Sequence, residues 1–188
     1  MKEKKPDLSA IIFAIVIILM IVPQTRMPIQ EGLSKIRMVL FSPSKMDEEE
    51  QIQLEPFTYR LTALDGTPVN VEIGNGNVTF LSYWATWCPP CRAELPSIQE
   101  LYNDYGDKMD FVLITHEDPE VIQTFLDKKQ YNLPVVLPQM ETPAPLFERT
   151  IPTNYIIDKK GKVVIKEQGA TEWYSDKVRK TLDVLVEE

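Results

Sequence analysis

The chain has 188 residues, a length that favours one domain with a short appendage. Its 20 Lys and Arg against 28 Asp and Glu give a net charge of −8, the wrong sign for a surface that gains affinity by releasing phosphate counterions, so nucleic acid is excluded as a partner. With 44% apolar and 26% charged residues the composition is globular, and two cysteines and one histidine exclude both a disulfide-stapled scaffold and a histidine-rich metal cluster.

Residues 1–7 form a polar tail with Lys2, Lys4 and Lys5, and residues 8–22 come next with nothing more polar than Ser9. About fifteen residues at about 1.5 Å each cover some 22 Å, short of the roughly 30 Å hydrocarbon core. The run therefore fits a signal-peptide core as well as a membrane anchor. Pro23, Gln24, Thr25, Arg26, Met27 and Pro28 offer no small-x-small cleavage site, which favours an uncleaved transmembrane signal anchor. A helix buried in a small domain would show a polar face, and this run has none. The three lysines before it are balanced by Arg26, Lys35 and Arg37 after it, so charge does not orient the anchor. The short tail is the easier part to leave in the cytoplasm, which puts the bulk of the chain on the other side.

Residues 23–56 read as a linker, punctuated by Pro23, Pro28, Pro43 and Pro56 and carrying the acidic run Asp47, Glu48, Glu49, Glu50. Within it Ile29, Leu33, Ile36 and Leu40 recur at helical spacing. They predict a short amphipathic helix on the membrane surface or packed on the domain, and packing is favoured. From residue 57 the signals alternate. Residues 57–64 and 69–73 flank Asp65-Gly66 as a β-hairpin, and residues 78–84 read as a buried central strand. Residues 91–105 carry Leu95, Ile98, Leu101, Tyr102 and Tyr105 on one helical stripe. A second strand at 111–115, a helix at 119–129, a hairpin of 153–158 with 162–167 and a closing helix marked by Val178, Leu182, Leu185 and Val186 complete an α/β sandwich around a mixed sheet. Pro134, Pro138, Pro143 and Pro145 read as loop punctuation.

The chemistry sits where the central strand ends. Cys88-Pro89-Pro90-Cys91 puts two thiols at the start of a helix, where unpaired N–H groups and the positive dipole end favour a thiolate. Cys88 is placed to attack, and a mixed disulfide formed there can be resolved by Cys91. The two prolines cost little, because first-turn N–H groups have no intrahelical partner. Trp87 is expected to shield the sulfurs and Trp84 to pack in the core. His116 beside Glu117 and Asp118 reads as an exposed loop residue.

Residues 83–96, Tyr-Trp-Ala-Thr-Trp-Cys-Pro-Pro-Cys-Arg-Ala-Glu-Leu-Pro, resemble the TlpA/ResA-like branch of the thioredoxin superfamily. The resemblance extends over residues 57–188, including the N-terminal hairpin extension and Ile151-Pro152-Thr153, where the family keeps its cis-proline. It implies a thioredoxin-like α/β fold, a mixed central sheet flanked by helices, tethered to the bacterial cytoplasmic membrane with its catalytic domain on the periplasmic or extracytoplasmic side. It implies Cys88 as nucleophile and Cys91 as resolving cysteine, with Trp87, Pro89, Pro90, Ile151 and Pro152 at the substrate. Ordinary thioredoxins carry a buried Asp where this chain has Ser82; Glu94 matches a glutamate implicated in some tethered relatives, and reads either as a proton-exchanging acid for Cys91 or as a carboxylate complementing the helix dipole. The implied activity is thiol-disulfide exchange without cofactor or metal. Its expected direction is reduction of a protein cysteine pair, for example in oxidised apocytochrome c, with electrons from a membrane donor of the CcdA/DsbD type. Two other functions fit these residues less well. A thiol peroxidase would use Thr86 below one cysteine, leaving the second thiol idle. A tethered copper chaperone would need wider cysteine spacing and a later histidine than His116.

Overall fold

The computed structural model describes residues 8–40 and 42–188, so the expected cytoplasmic tail at residues 1–7 lies outside the described residues. The chain opens with two helices, α1 over Leu8–Ile21 and α2 over Pro23–Leu40. Helical hydrogen bonding continues across the break at Pro23: the Val22 amide donates to Ile18 and the Arg26 amide to Val22, both at 3.0 Å. At 14 residues α1 is short, and among the described residues no helix is long and apolar enough to cross a membrane.

The linker reading of residues 23–56 needs correction, because this stretch folds onto the domain. Glu31 of α2 forms an ion pair with Arg92, Met38 is buried with Ala93 and Ala170, and Arg37 donates to the Gln168 carbonyl at 3.3 Å. Further on, the Met46 and Leu54 amides donate to the carbonyls of Val164 and Gly161, and Ile52 accepts from the Val163 amide, with Leu54 buried. The expected helix is present and longer than expected, but it docks by a different face. Ile29, Leu33 and Ile36 point outward, and the contact uses one methionine against two alanines plus an ion pair.

Seven strands form one mixed sheet among the described residues: β1 Phe57–Ala63, β2 Pro68–Ile73, β3 Thr79–Tyr83, β4 Asp110–Ile114, β5 Val135–Pro138, β6 Thr153–Ile157 and β7 Val163–Gln168, in the order β2-β1-β5-β4-β3-β6-β7. The expected hairpin is β1 with β2, turned at Gly66, whose φ of 86° suits a residue without Cβ, and clamped by the Thr67 amide on Asp65 Oδ1 at 2.9 Å. β3, β4 and β5 run parallel, and β6 lies antiparallel to β3. β5 is a strand that the sequence pattern does not announce: only four residues long and ended by Pro138, it has the look of a loop, yet it joins the hairpin extension to the central sheet through β1.

The period-2 alternation of strand side chains divides the core. Phe80, Phe111, Leu113 and Ile156 face one side, where Leu95, Ile98 and Leu101 of α3 (Pro89–Tyr105), Ile122 and Leu126 of α4 (Pro119–Lys129) and Val178 and Leu182 of α5 (Asp176–Glu187) cover them. Leu81, Val112, Ile114, Tyr155 and Ile157 face the other, closed by Leu54 and by Leu146 of a short 3-10 turn. β3, paired on both sides with β4 and β6, therefore delivers the chain into α3 from the C-terminal end of an interior strand, and that rigid end fixes the position of the two cysteines.

Candidate active site

Cys88 ends the turn after β3 and caps α3. Its backbone is extended, and its Sγ accepts from the Cys91 amide at 3.3 Å, satisfying one of the first-turn donors that no helical carbonyl can reach. Pro89 and Pro90 occupy that first turn, as their missing N–H groups allow. Cys88 and Cys91 are joined by a disulfide. Cys91 is fully buried, and Cys88 borders an open groove of about 480 Å³.

Beside Cys88 on the same side of that groove the Ile151–Pro152 peptide bond is cis, and the Ile151 carbonyl oxygen lies 3.8 Å from Cys88 Sγ. The sulfur and a backbone acceptor thus share one wall. Trp87, expected to shield the sulfurs, is itself 63% exposed and lines the groove, whereas Trp84 is buried against Phe125 as expected. Trp87 and Ile151 also border a second cavity, of about 310 Å³, with His116, Glu117 and Phe147. His116 is exposed at its rim.

Glu94 lies one turn after Cys91 on the same face of α3, and it is 1% exposed. Asn154 Nδ2 donates to its Oε1 at 2.9 Å, while the Thr171 amide and Trp173 Nε1 donate to its Oε2, each at 3.3 Å. Burial pushes this carboxyl up to about 8, and the three donors only partly offset the loss of water. It is far more enclosed than a carboxylate that merely complements a helix dipole. Ser82, at the position of the missing Asp, is buried and sits in register opposite Asn154; among the described residues its Oγ and the Asn154 Oδ1 have no hydrogen-bond partner.

Glu117 carries no motif in the sequence, yet it holds the turn that presents the cysteines. Thr86 donates to its two carboxylate oxygens through its amide and its hydroxyl, both at 2.6 Å, and Thr115 adds a third bond at 3.3 Å. Asn154 and Trp173 lie 60 and 79 residues from Glu94, and Glu117 lies 31 residues from Thr86, so no local spacing in the sequence could have marked these pairings.

The AhpC/TSA family matches residues 53–166 of the chain. The thiol-disulfide oxidoreductase ResA of Bacillus cereus is 30% identical over 125 residues, which cover 65% of this chain and 72% of that protein. The thioredoxin-like protein YneN of Bacillus subtilis is 28% identical over 127 residues, 65% of this chain and 74% of that one. The crystal structure of the pneumococcal exposed lipoprotein thioredoxin Etrx1, from Streptococcus pneumoniae, superposes with a TM-score of 0.55 at 26% identity, covering 69% of this chain and 100% of that one. The chain belongs to the AhpC/TSA family, as a ResA-like thiol-disulfide oxidoreductase of the thioredoxin superfamily.

Proposed function

We propose that the chain is a membrane-tethered reductant of protein disulfides on the extracytoplasmic side, acting on a substrate with a cysteine pair such as oxidised apocytochrome c. The observation that carries this reading is the arrangement around one sulfur: Cys88 at a groove beside a backbone acceptor, with Cys91 enclosed behind it and a buried acid one turn further on. In the dithiol form, the Cys88 thiolate attacks one sulfur of the substrate disulfide and releases the other as a thiolate. Cys91 then attacks Cys88 Sγ, the mixed disulfide breaks, and the second substrate sulfur leaves as a thiolate. Two electrons pass to the substrate, and Cys88 and Cys91 end as a disulfide.

Cys91 must lose its proton before it attacks. Glu94, one turn further on the same face of α3 and held up to about 8 by burial, is the titratable group that would exchange that proton with Cys91. The cycle closes when a membrane dithiol donor, of the CcdA/DsbD type, reduces the disulfide again. A peroxidase reading is disfavoured by Thr86, whose hydroxyl is committed to Glu117.

The test uses the full chain with Cys91→Ser, which removes the resolving thiol. Reduced and exposed to membranes containing oxidised substrate, it is expected to accumulate a protein linked through Cys88, identified by mass spectrometry. The wild-type pair is expected to be mostly reduced in intact cells. No trapped adduct, or a pair mostly oxidised in cells, overturns the reductant reading.

A further inference from the structure

The groove at Cys88 has two walls, and only one belongs to the thioredoxin-like domain. Trp87, Cys88 and Ile151 form the first; Arg26, Gln30 and Leu33 of α2 form the second. α2 is fastened from behind by the Glu31–Arg92 ion pair and by Met38 against Ala93 and Ala170, which turns Leu33 and Ile36 outward, each 61% exposed. Leu33 is thus both part of an uncovered apolar stripe and a lining residue of the cavity that holds the nucleophilic sulfur. Arg26 is the one charged side chain among the residues lining that cavity, in a chain whose net charge is −8.

We infer that α2 is a specificity element: its outward face binds the cysteine-bearing segment of the protein substrate, taking an apolar side chain against Leu33 and an acidic one against Arg26. The inference rests on the thiol exchange proposed above and names what that site selects. The residues lining the groove on its two sides dictate the occupant. A segment that brings its own sulfur to Cys88 while running strand-like along the Ile151 carbonyl lies against α2, because α2 is the opposite wall. A local cation on an acidic protein favours a segment acidic next to its cysteine, and a rim charge of this kind acts mainly on association rate and weakens with salt.

The test compares the full-length chain in detergent with two pairs of synthetic peptide disulfides. One pair differs only in Asp or Lys beside the cysteine, the other only in Leu or Ser. For wild type, the Asp peptide is expected to react about tenfold faster than the Lys peptide, and the ratio should shrink at high salt. Arg26→Glu should invert that ratio, which misfolding cannot do, and Leu33→Ser should bring the Leu-over-Ser ratio towards one. Lys35→Glu makes the same charge change on α2 outside the groove and should leave the Asp-over-Lys ratio at the wild-type value. Wild-type ratios in both groove variants, or an equal inversion by Lys35→Glu, overturn the assignment of α2. Hydroxyethyl disulfide, too small to touch α2, separates the two layers: wild type failing to exchange with it overturns the thiol-exchange reading and this inference with it.

Discussion

Glu94 has to be read through its proton. The folded chain holds a proton on this carboxyl up to about pH 8, whereas the unfolded chain loses it near 4.5. Between those values the native state binds more protons than the unfolded one, so stability falls as pH rises through that window, by an amount on the order of a few kcal/mol. Glu94→Gln removes the titration. The neutral amide can be accommodated: its oxygen accepts from Thr171 and Trp173, its NH2 group faces Asn154, and a flip of the Asn154 amide offers the oxygen that now lacks a partner. The expected outcome is a variant more stable than wild type at pH 8, with a flatter stability profile below it, read by denaturant melts across pH. Exchange should nonetheless slow by about a hundredfold at the resolving step near and above pH 8, where the ionised carboxylate of wild type can take the Cys91 proton and the amide cannot. A residue that served only to fill the core would leave the pH profile of exchange unchanged.

At the level of elements, legibility tracks hydrophobic period. The hairpin of β1 and β2, the passage from β3 into α3 and the last hairpin of β6 and β7 are readable because alternation or a helical stripe coincides with the buried face. β5 and α2 are not readable in the same way. β5 has four residues and a terminal proline, too short for any period to emerge, and its place is set by the strands on either side. In α2 the apolar stripe and the docking face are different faces, since docking relies on small alanines and an ion pair that periodicity does not weigh. Arg92 shows how the motif and the helix are linked: beside the Glu31 carboxylate, its guanidinium also stands 5.6 Å over the Phe125 ring of α4. Met38→Asp should undo this docking by placing an unpaired charge against Ala93 and Ala170. Amide hydrogen exchange in residues 23–40 is expected to rise at least about tenfold while β3 and β6 keep their protection. Equal loosening of the sheet would mean that α2 is part of the cooperative core.

The whole molecule brings the apolar helix and the redox groove close together. α1 ends at Ile21, hydrogen bonding carries on into α2, and Arg26, which lines the groove, lies about 7 Å of helical rise beyond that end. The side chains of Ile11, Ile12, Phe13, Ile15 and Ile18 are all exposed, an apolar surface that the other described residues leave uncovered. At 14 residues α1 spans about 21 Å, so anchoring needs Val22, local thinning of the bilayer or snorkelling of the neighbouring Lys and Arg to make up the difference. An anchor of this kind predicts that the intact chain sediments with membranes and resists both high salt and alkaline carbonate. It also predicts that a variant lacking residues 1–22 is released and still exchanges with hydroxyethyl disulfide, since the groove begins at Arg26. Extraction by carbonate would mean that α1 lies on the surface or in one leaflet. A soluble form with a new N-terminus near Arg26 would mean that α1 is a cleaved signal, and the groove would then work without being held at the membrane.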